Sequence, residues 1–290
     1  MLPALLKSMR PKQWPKNALI FVALVFDRQL ANPGAFLHTL AGFILFCMIS
    51  SAVYIINDVL DIDADRNHPT KRLRPIAFGQ LPVSVARAAV GVILIVVLPL
   101  AYLLSPYFAL MVLVYFLLNL AYSVYLKHIP ILDVFALASF YVLRVAAGVV
   151  LIQVARFSPW LYVFTTFLSL FLGIGKRRAE MTLLADGANT HRRVFDGYSL
   201  PLLDQMIMIV VTVTIVTYSL YTFSAPNLPT NHTMMLTIPF VIYGVFRYLY
   251  LIQIKKSGGA PEDILFTDRP LQADILLWGL GVLIVLYLFQ

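Results

Sequence analysis

Long apolar runs alternate with short polar joints along almost the whole chain. A helix that crosses a bilayer needs about 20 largely apolar residues. Runs of that order fall at 37–57, 83–104, 107–125, 131–152, 158–175, 202–223, 233–254 and 271–289. A shorter run at 17–31 follows a basic N-terminal stretch. It is read as a retained first helix, because more apolar segments come soon after it and no A-x-A-like cleavage site does. Joints as short as Ser105-Pro106 and Ile129-Pro130 make neighbouring spans antiparallel. Backbone polar groups in lipid have to be satisfied internally, and runs this long and uniform are helices, not barrel strands. The pattern predicts a single all-α domain over residues 1–290, a polytopic membrane protein of about nine transmembrane helices, without internal repeats or linkers.

Composition agrees and narrows the choice. Of 290 residues, 60% are hydrophobic and 12% are charged, against about 45–50% and roughly 25% in a soluble domain. Most soluble-enzyme classes are thereby excluded. The net charge is +8, and its placement explains it. With the N-terminus inside, eighteen of the 22 Lys and Arg residues fall in cytoplasmic segments, the bias expected of a membrane protein. The basic excess therefore points to orientation in a cell (inner) membrane and not to nucleic acid. Nine crossings would put the C-terminus outside. The single Cys47 allows no disulfide within the chain. A homo-oligomer is compatible with all of this.

The candidate chemistry lies on the same cytoplasmic side, in two long polar stretches at 58–82 and 176–201. The first begins Asn57-Asp58-Val59-Leu60-Asp61-Ile62-Asp63-Ala64-Asp65. On a helix that turns roughly 100° per residue, Asn57, Asp58, Asp61 and Asp65 share one stripe and Asp63 points elsewhere. Three carboxylates and an amide on one stripe repel each other unless a cation sits among them. Hard oxygen ligands on an open surface suit Mg²⁺, which keeps water and takes substrate phosphates as its remaining ligands. Acidic residues at a helix C-terminus also oppose the macrodipole, which argues against a merely solvated helix end. His68-Pro69-Thr70-Lys71-Arg72-Leu73-Arg74-Pro75 follows. Its prolines turn the chain, and its cations suit a diphosphate clamp.

Asn-Asp-x-x-Asp-x-x-x-Asp after a second span resembles the first aspartate motif of the UbiA prenyltransferase superfamily. The resemblance implies nine helices around a central cavity that faces the cytoplasm and binds Mg²⁺-diphosphate substrates. Ordinary members carry a second aspartate-rich motif after the sixth span. This chain has Gly173-Ile174-Gly175-Lys176-Arg177-Arg178-Ala179-Glu180-Met181 there, which is basic with one carboxylate. That variation resembles the decaprenyl-phosphate phosphoribosyltransferase branch, as do Arg10-Pro11-Lys12-Gln13-Trp14-Pro15-Lys16-Asn17, Tyr122-Ser123 with Lys127 and Asp133, and Gly258-Gly259-Ala260-Pro261-Glu262. The branch's usual Lys-Arg-Tyr-Ala-Glu has Arg178 in the Tyr place.

The resemblance implies 5-phosphoribosyl 1-diphosphate as donor, a membrane polyprenyl phosphate as acceptor and Mg²⁺ as cofactor. Asn57, Asp58, Asp61 and Asp65 are the expected metal ligands, with the three aspartates catalytic. Lys16, Lys71, Arg72 and Arg74 are expected on phosphate oxygens. Lys176, Arg177 and Glu180 are expected to close the other side, with Glu180 on ribose hydroxyls. In a host that builds an arabinan wall, the product would supply it. From the residues themselves, Arg144 lies inside an apolar span, where a cation is costly. It is read as free for a substrate phosphate, because Asp133 is eleven residues, roughly 16 Å, away along the axis. Lys127 starts the same face, Tyr54 bounds the carboxylate stripe one turn before Asp58, and Arg247 is left unassigned. The rival readings are a prenyltransferase that uses a prenyl diphosphate, and a membrane transporter.

Overall fold

The computed structural model describes residues 1–289 other than 69, 155–156, 186–192, 227 and 256–260, and the side chains of 183–185, 193 and 261–263 are also outside the description. Pro69 and the Gly258-Gly259-Ala260 stretch, both used above, lie outside the described residues, as does the side chain of Glu262; of the basic residues counted above, Arg192 and Lys256 and the side chain of Arg193 lie outside them too. The helices are α1 (Leu2–Ser8), α2 (Phe21–Phe26), α3 (Pro33–Leu60), α4 (Ile62–Arg66), α5 (Val83–Leu104), α6 (Pro106–Val124), α7 (Leu132–Leu151), α8 (Pro159–Ala185), α9 (Leu200–Ser224), α10 (Ile238–Gln253), α11 (Pro261–Thr267) and α12 (Arg269–Leu288). No strand occurs among the described residues.

Eight segments among the described residues are long and apolar enough to cross a membrane. They match the runs at 37–57 through 271–289, with α10 lengthened by a 3₁₀ turn at Thr233–Thr237. The expected first span differs. Pro11–Ile20 is a 3₁₀-helix that passes into the six residues of α2. Pro11 and Pro15 explain this, since proline inside an α-helix removes a backbone bond and clashes with the preceding turn. At the usual rises of 2.0 and 1.5 Å, the segment from Pro11 to Phe26 extends about 29 Å, comparable to the roughly 30 Å hydrocarbon thickness. The second polar stretch also starts later than expected: α8 continues to Ala185, so Lys176 to Glu180 lie on a helix.

Helix starts follow from local chemistry. Asn32 Oδ1 accepts from the N–H groups of Gly34 and Ala35 ahead of α3. Ser105, Ser199 and Asp268 do the same for α6, α9 and α12. Each is followed by proline at the first or second helical position, where its missing N–H costs nothing.

The chain divides into two compact units. The first comprises Met1–Leu24, Gln29–Lys127 and Leu143–Val154. In it α3 packs against α5 and α6, and the Phe46 and Tyr115 rings stack at 4.7 Å between centroids. The end of α7 runs against the 3₁₀-helix so closely that a Cβ on Gly148 would lie 2.0 Å from the Ile20 carbonyl oxygen. Gly148→Ala is therefore expected to cost about 1–3 kcal/mol, read as a lower unfolding midpoint in detergent. The second unit comprises Val25–Arg28, His128–Val142 and Ala155–Gln290. There α8 and α9 pack along each other, and Val134, Phe171, Ile174, Leu203, Ile207 and Ile252 are buried in its core.

Candidate functional site

The carboxylate stripe is built by the end of α3. This helix has 28 residues, about 42 Å, so it outlasts an apolar bilayer core and carries its polar end beyond it. It stops at Asp61, whose backbone (φ −95°, ψ 11°) leaves helical geometry, and α4 resumes at once. Asp58 and Asp65 are buried, with side chains 1% and 4% exposed, whereas the Asp63 side chain is 89% exposed and pairs outward with Arg66.

Arg74 joins the two buried carboxylates. Its Nη1 donates to Asp58 Oδ1 at 3.1 Å and to Asp65 Oδ2 at 2.6 Å. The sequence prepares this. Arg74 precedes Pro75, a position pushed to extended backbone, and it adopts φ −66°, ψ 140°. Beyond it Ile76, Ala77 and Leu81 are buried, which fastens the loop, and Gly79 (φ +83°) supplies the left-handed turn. Lys71 lies in the 3₁₀ turn Lys71–Leu73, whose start is tied by Thr70 and Lys71 N–H groups donating to His68 Nδ1. Arg72 is exposed.

Asp61 is held separately. Lys127 Nζ donates to its Oδ1 at 2.8 Å and Asn57 Nδ2 to its Oδ2 at 3.1 Å. Ser123 Oγ in turn donates to Asn57 Oδ1. Lys127 thus belongs to the carboxylate stripe. Tyr54 lies one turn before Asp58, and the guanidinium of Arg10 sits over its ring, 4.9 Å from the centroid. Arg10 also donates to Asp58 Oδ1. Sequence reasoning missed Arg10, which the positive-inside bias absorbed; its one local signal is the Arg-Pro step that ends α1.

Lys16 is partly buried beside Asn17, which is itself buried. Asn17 leads to a correction for Arg144. That residue is not free for phosphate: it is 4% exposed, its Nε donates to Asn17 Oδ1 at 2.7 Å and its Nη2 to the Tyr115 hydroxyl at 2.9 Å. A cation deep in an apolar helix is costly unless hydrogen-bonded, and here it ties α7 to the N-terminal segment.

In the second unit Arg177 receives the same kind of correction. Expected on phosphate, it is 1% exposed and spans two carboxylates, with Nε donating to Asp133 Oδ2 and Nη1 to Glu180 Oε2, both at 2.5 Å. Asp133 also accepts from the Tyr198 hydroxyl at 2.6 Å, and that oxygen accepts from the Ile131 N–H. Burial, helped by the bond to Asp133, pushes the Tyr198 phenol above its ordinary range, so it remains a donor. Arg177 is a strut that orients Glu180. Lys176 is half-buried on the same helix. Arg178 pairs with Asp204 at 2.5 Å, and Arg247 pairs with Asp268 at 2.8 Å, which gives Arg247 a structural role.

The donor set fits a hard divalent cation. Mg²⁺ is held by one or two carboxylates and completes its shell with substrate phosphates. Asn57, Asp58, Asp61 and Asp65 offer carboxylate and amide oxygens, and no group of three or more His, Cys, Asp or Glu among the described residues is placed to hold a metal ion by itself. The arrangement suits a metal that arrives with its own phosphate ligands.

Comparison with known proteins identifies the chain's relatives. A model of the UbiA prenyltransferase family matches residues 18–266. The decaprenyl-phosphate phosphoribosyltransferase of Corynebacterium glutamicum is 32% identical over 291 residues, covering 98% of this chain and 87% of that protein. The enzyme of the same name from Mycobacterium tuberculosis is 33% identical over 276 residues, covering 94% and 90%. A UbiA homolog from Archaeoglobus fulgidus bound to DMAPP and Mg²⁺ has the same fold, with TM-score 0.74 and 20% identity, covering 98% of this chain and 99% of that one. A match of this extent, with the aspartate stripe inside it, means that the chain belongs to the UbiA prenyltransferase family and is a multi-pass membrane enzyme of the transferase class.

Proposed function

We propose that the protein transfers 5-phosphoribose from 5-phosphoribosyl 1-diphosphate to a polyprenyl phosphate and releases diphosphate, on the cytoplasmic face of the cell membrane. The observation that carries this reading is the contrast between the two polar motifs. The first is a full carboxylate stripe. The second offers a single carboxylate, Glu180, already bound by Arg177, so it cannot build the second metal cluster that a prenyl diphosphate site of the ordinary kind requires. Similarity to two named phosphoribosyltransferases over nearly the whole chain supports the same choice.

The acceptor phosphate monoester is already an anionic nucleophile, so no general base is needed. Its oxygen forms a bond to the anomeric carbon while the bond from that carbon to the diphosphate oxygen breaks. The barrier lies in leaving-group departure, and the site answers it with charge. Asn57, Asp58, Asp61 and Asp65 would hold Mg²⁺, which when bound supplies divalent charge to the diphosphate oxygens. Arg74 and Lys127, which sit on those carboxylates, neutralise the leaving group, as do Lys16, Lys71 and Arg72 on phosphate oxygens. Glu180, fixed by the Arg177 strut, is the carboxylate that the second unit offers to a sugar hydroxyl. Most of the acceleration is then positioning and prearranged charge. The concentration of 18 of 22 basic side chains in alternate loops supports the cytoplasmic placement.

The test is direct. Purified protein with Mg²⁺, polyprenyl phosphate and labelled 5-phosphoribosyl 1-diphosphate is expected to place label in the extracted lipid. Absence of labelled lipid, together with turnover of a prenyl diphosphate, would overturn the reading.

A further inference from the structure

Three cations neutralise the three carboxylates of the stripe, but they are not equivalent. Lys127 serves Asp61, and Arg74 is shared by Asp58 and Asp65. Among the described residues Arg10 pairs with Asp58 alone, and it reaches the same oxygen, Oδ1, that Arg74 uses. Two guanidinium groups on one oxygen repel each other. Arg74 is compensated by its second carboxylate. Among the described residues Arg10 has, besides Asp58, the Tyr54 ring beneath it, so it is the least compensated cation of the cluster.

Its placement is nevertheless built in. Arg10 adopts the left-handed backbone region (φ 52°, ψ 61°), which is rare for a residue with a Cβ. The chain on both sides is stapled to α3: Ser51 Oγ donates to the Met9 carbonyl oxygen, Trp14 Nε1 donates to Ser51 Oγ, and Asn17 Nδ2 donates to Ser50 Oγ. A strained turn between two staples is what directs the Arg10 side chain back onto the stripe.

We propose that Arg10 is a further substrate-binding residue, a resident cation that pairs with Asp58 until a magnesium–diphosphate complex arrives and then passes to a phosphate oxygen of that complex. The inference rests on the function proposed above and adds a rule to it: metal and diphosphate bind together or poorly. Magnesium alone, landing on Asp58, would leave displaced guanidinium groups crowded beside a dication with no anion to take them. Diphosphate alone would meet carboxylates. Together they exchange partners, with carboxylates going to the metal and Arg10 to the phosphate, and the cluster stays near neutral throughout.

The experiment titrates full-length protein in detergent with magnesium chloride, with and without saturating inorganic pyrophosphate, and follows the unfolding midpoint and the calorimetric affinity. Wild type is expected to bind magnesium at least tenfold more tightly with pyrophosphate present. In Arg10→Gln, magnesium alone is expected to bind several-fold more tightly than in wild type, because its competitor is gone, and the coupling to pyrophosphate is expected to fall at least fivefold. Arg10→Lys should restore part of the coupling. Unchanged or weaker binding of magnesium alone by Arg10→Gln overturns the proposal. If that variant fails to fold, absence of coupling in wild type overturns it on its own. Failure of the functional reading would show elsewhere, as absence of labelled lipid in the transfer assay regardless of how Arg10 affects magnesium binding.

Discussion

Asp61→Asn is expected to lower turnover by about 100- to 1000-fold, the scale on which one prearranged electrostatic contact at a reacting charge is lost, while the protein stays folded. The substitution keeps the size of the side chain and one oxygen. Asp61 is also the least enclosed of the three carboxylates, with a side chain 28% exposed, and its partner Lys127 is 20% exposed. A surface-type ion pair of this sort contributes about 1 kcal/mol or less, so the unfolding midpoint should hardly move. Asp58 does not offer this separation. Its side chain is 1% exposed beneath two guanidinium groups, and neutralising it would disturb the fold together with the chemistry. Measuring transfer of labelled phosphoribose and the unfolding midpoint on the same Asp61→Asn preparation checks the assignment. Retained activity would remove Asp61 from the metal site.

Asp133→Ala is expected to be the most destabilising single change in the second unit, at about 3–5 kcal/mol. Removing one partner of a buried ion pair is strongly destabilising, and Arg177, 1% exposed, would keep Glu180 but lose one of the two carboxylates it spans. Tyr198 loses its acceptor at the same time, and with it the support of Ile131, a β-branched residue at φ 70° that is strained by its own geometry. Little or no folded protein in size-exclusion chromatography is the expected readout. The milder Tyr198→Phe, which keeps the Asp133–Arg177 pair, should fold with a lowered midpoint. A well-folded Asp133→Ala protein would show that the strut is dispensable.

The spans were legible because length and continuous apolarity leave little choice in lipid. The acidic motif was legible because its residues recur at helical spacing at the end of one span, but its partition was not: Asp58 and Asp65 share Arg74, whereas Asp61, at the break, pairs with Lys127 and Asn57. What escaped the sequence depends on distant pairing. Asp133 and Arg177 are 44 positions apart, and Asn17 and Arg144 are 127 apart. Composition shows buried charges in such cases but not their partners. Thus Arg144 and Arg177 read as phosphate ligands when the fold uses them internally. Arg10 escaped for a different reason: its role is created by a left-handed turn and by the contacts of Ser51, which no periodicity announces. The first segment was misjudged because apolar content was weighed before Pro11 and Pro15.

One rod, α3, carries both a lipid-crossing surface and the first two proposed metal ligands, Asn57 and Asp58, whereas Asp65 sits past the break on α4. Helices adjust to membrane thickness by tilting. Any such tilt would reorient one half of the ligand set relative to the other, across a joint bridged by Arg74. On the proposed assignment, bilayer width is expected to bear on the spacing of the ligands, and turnover in vesicles of differing lipid chain length would show it.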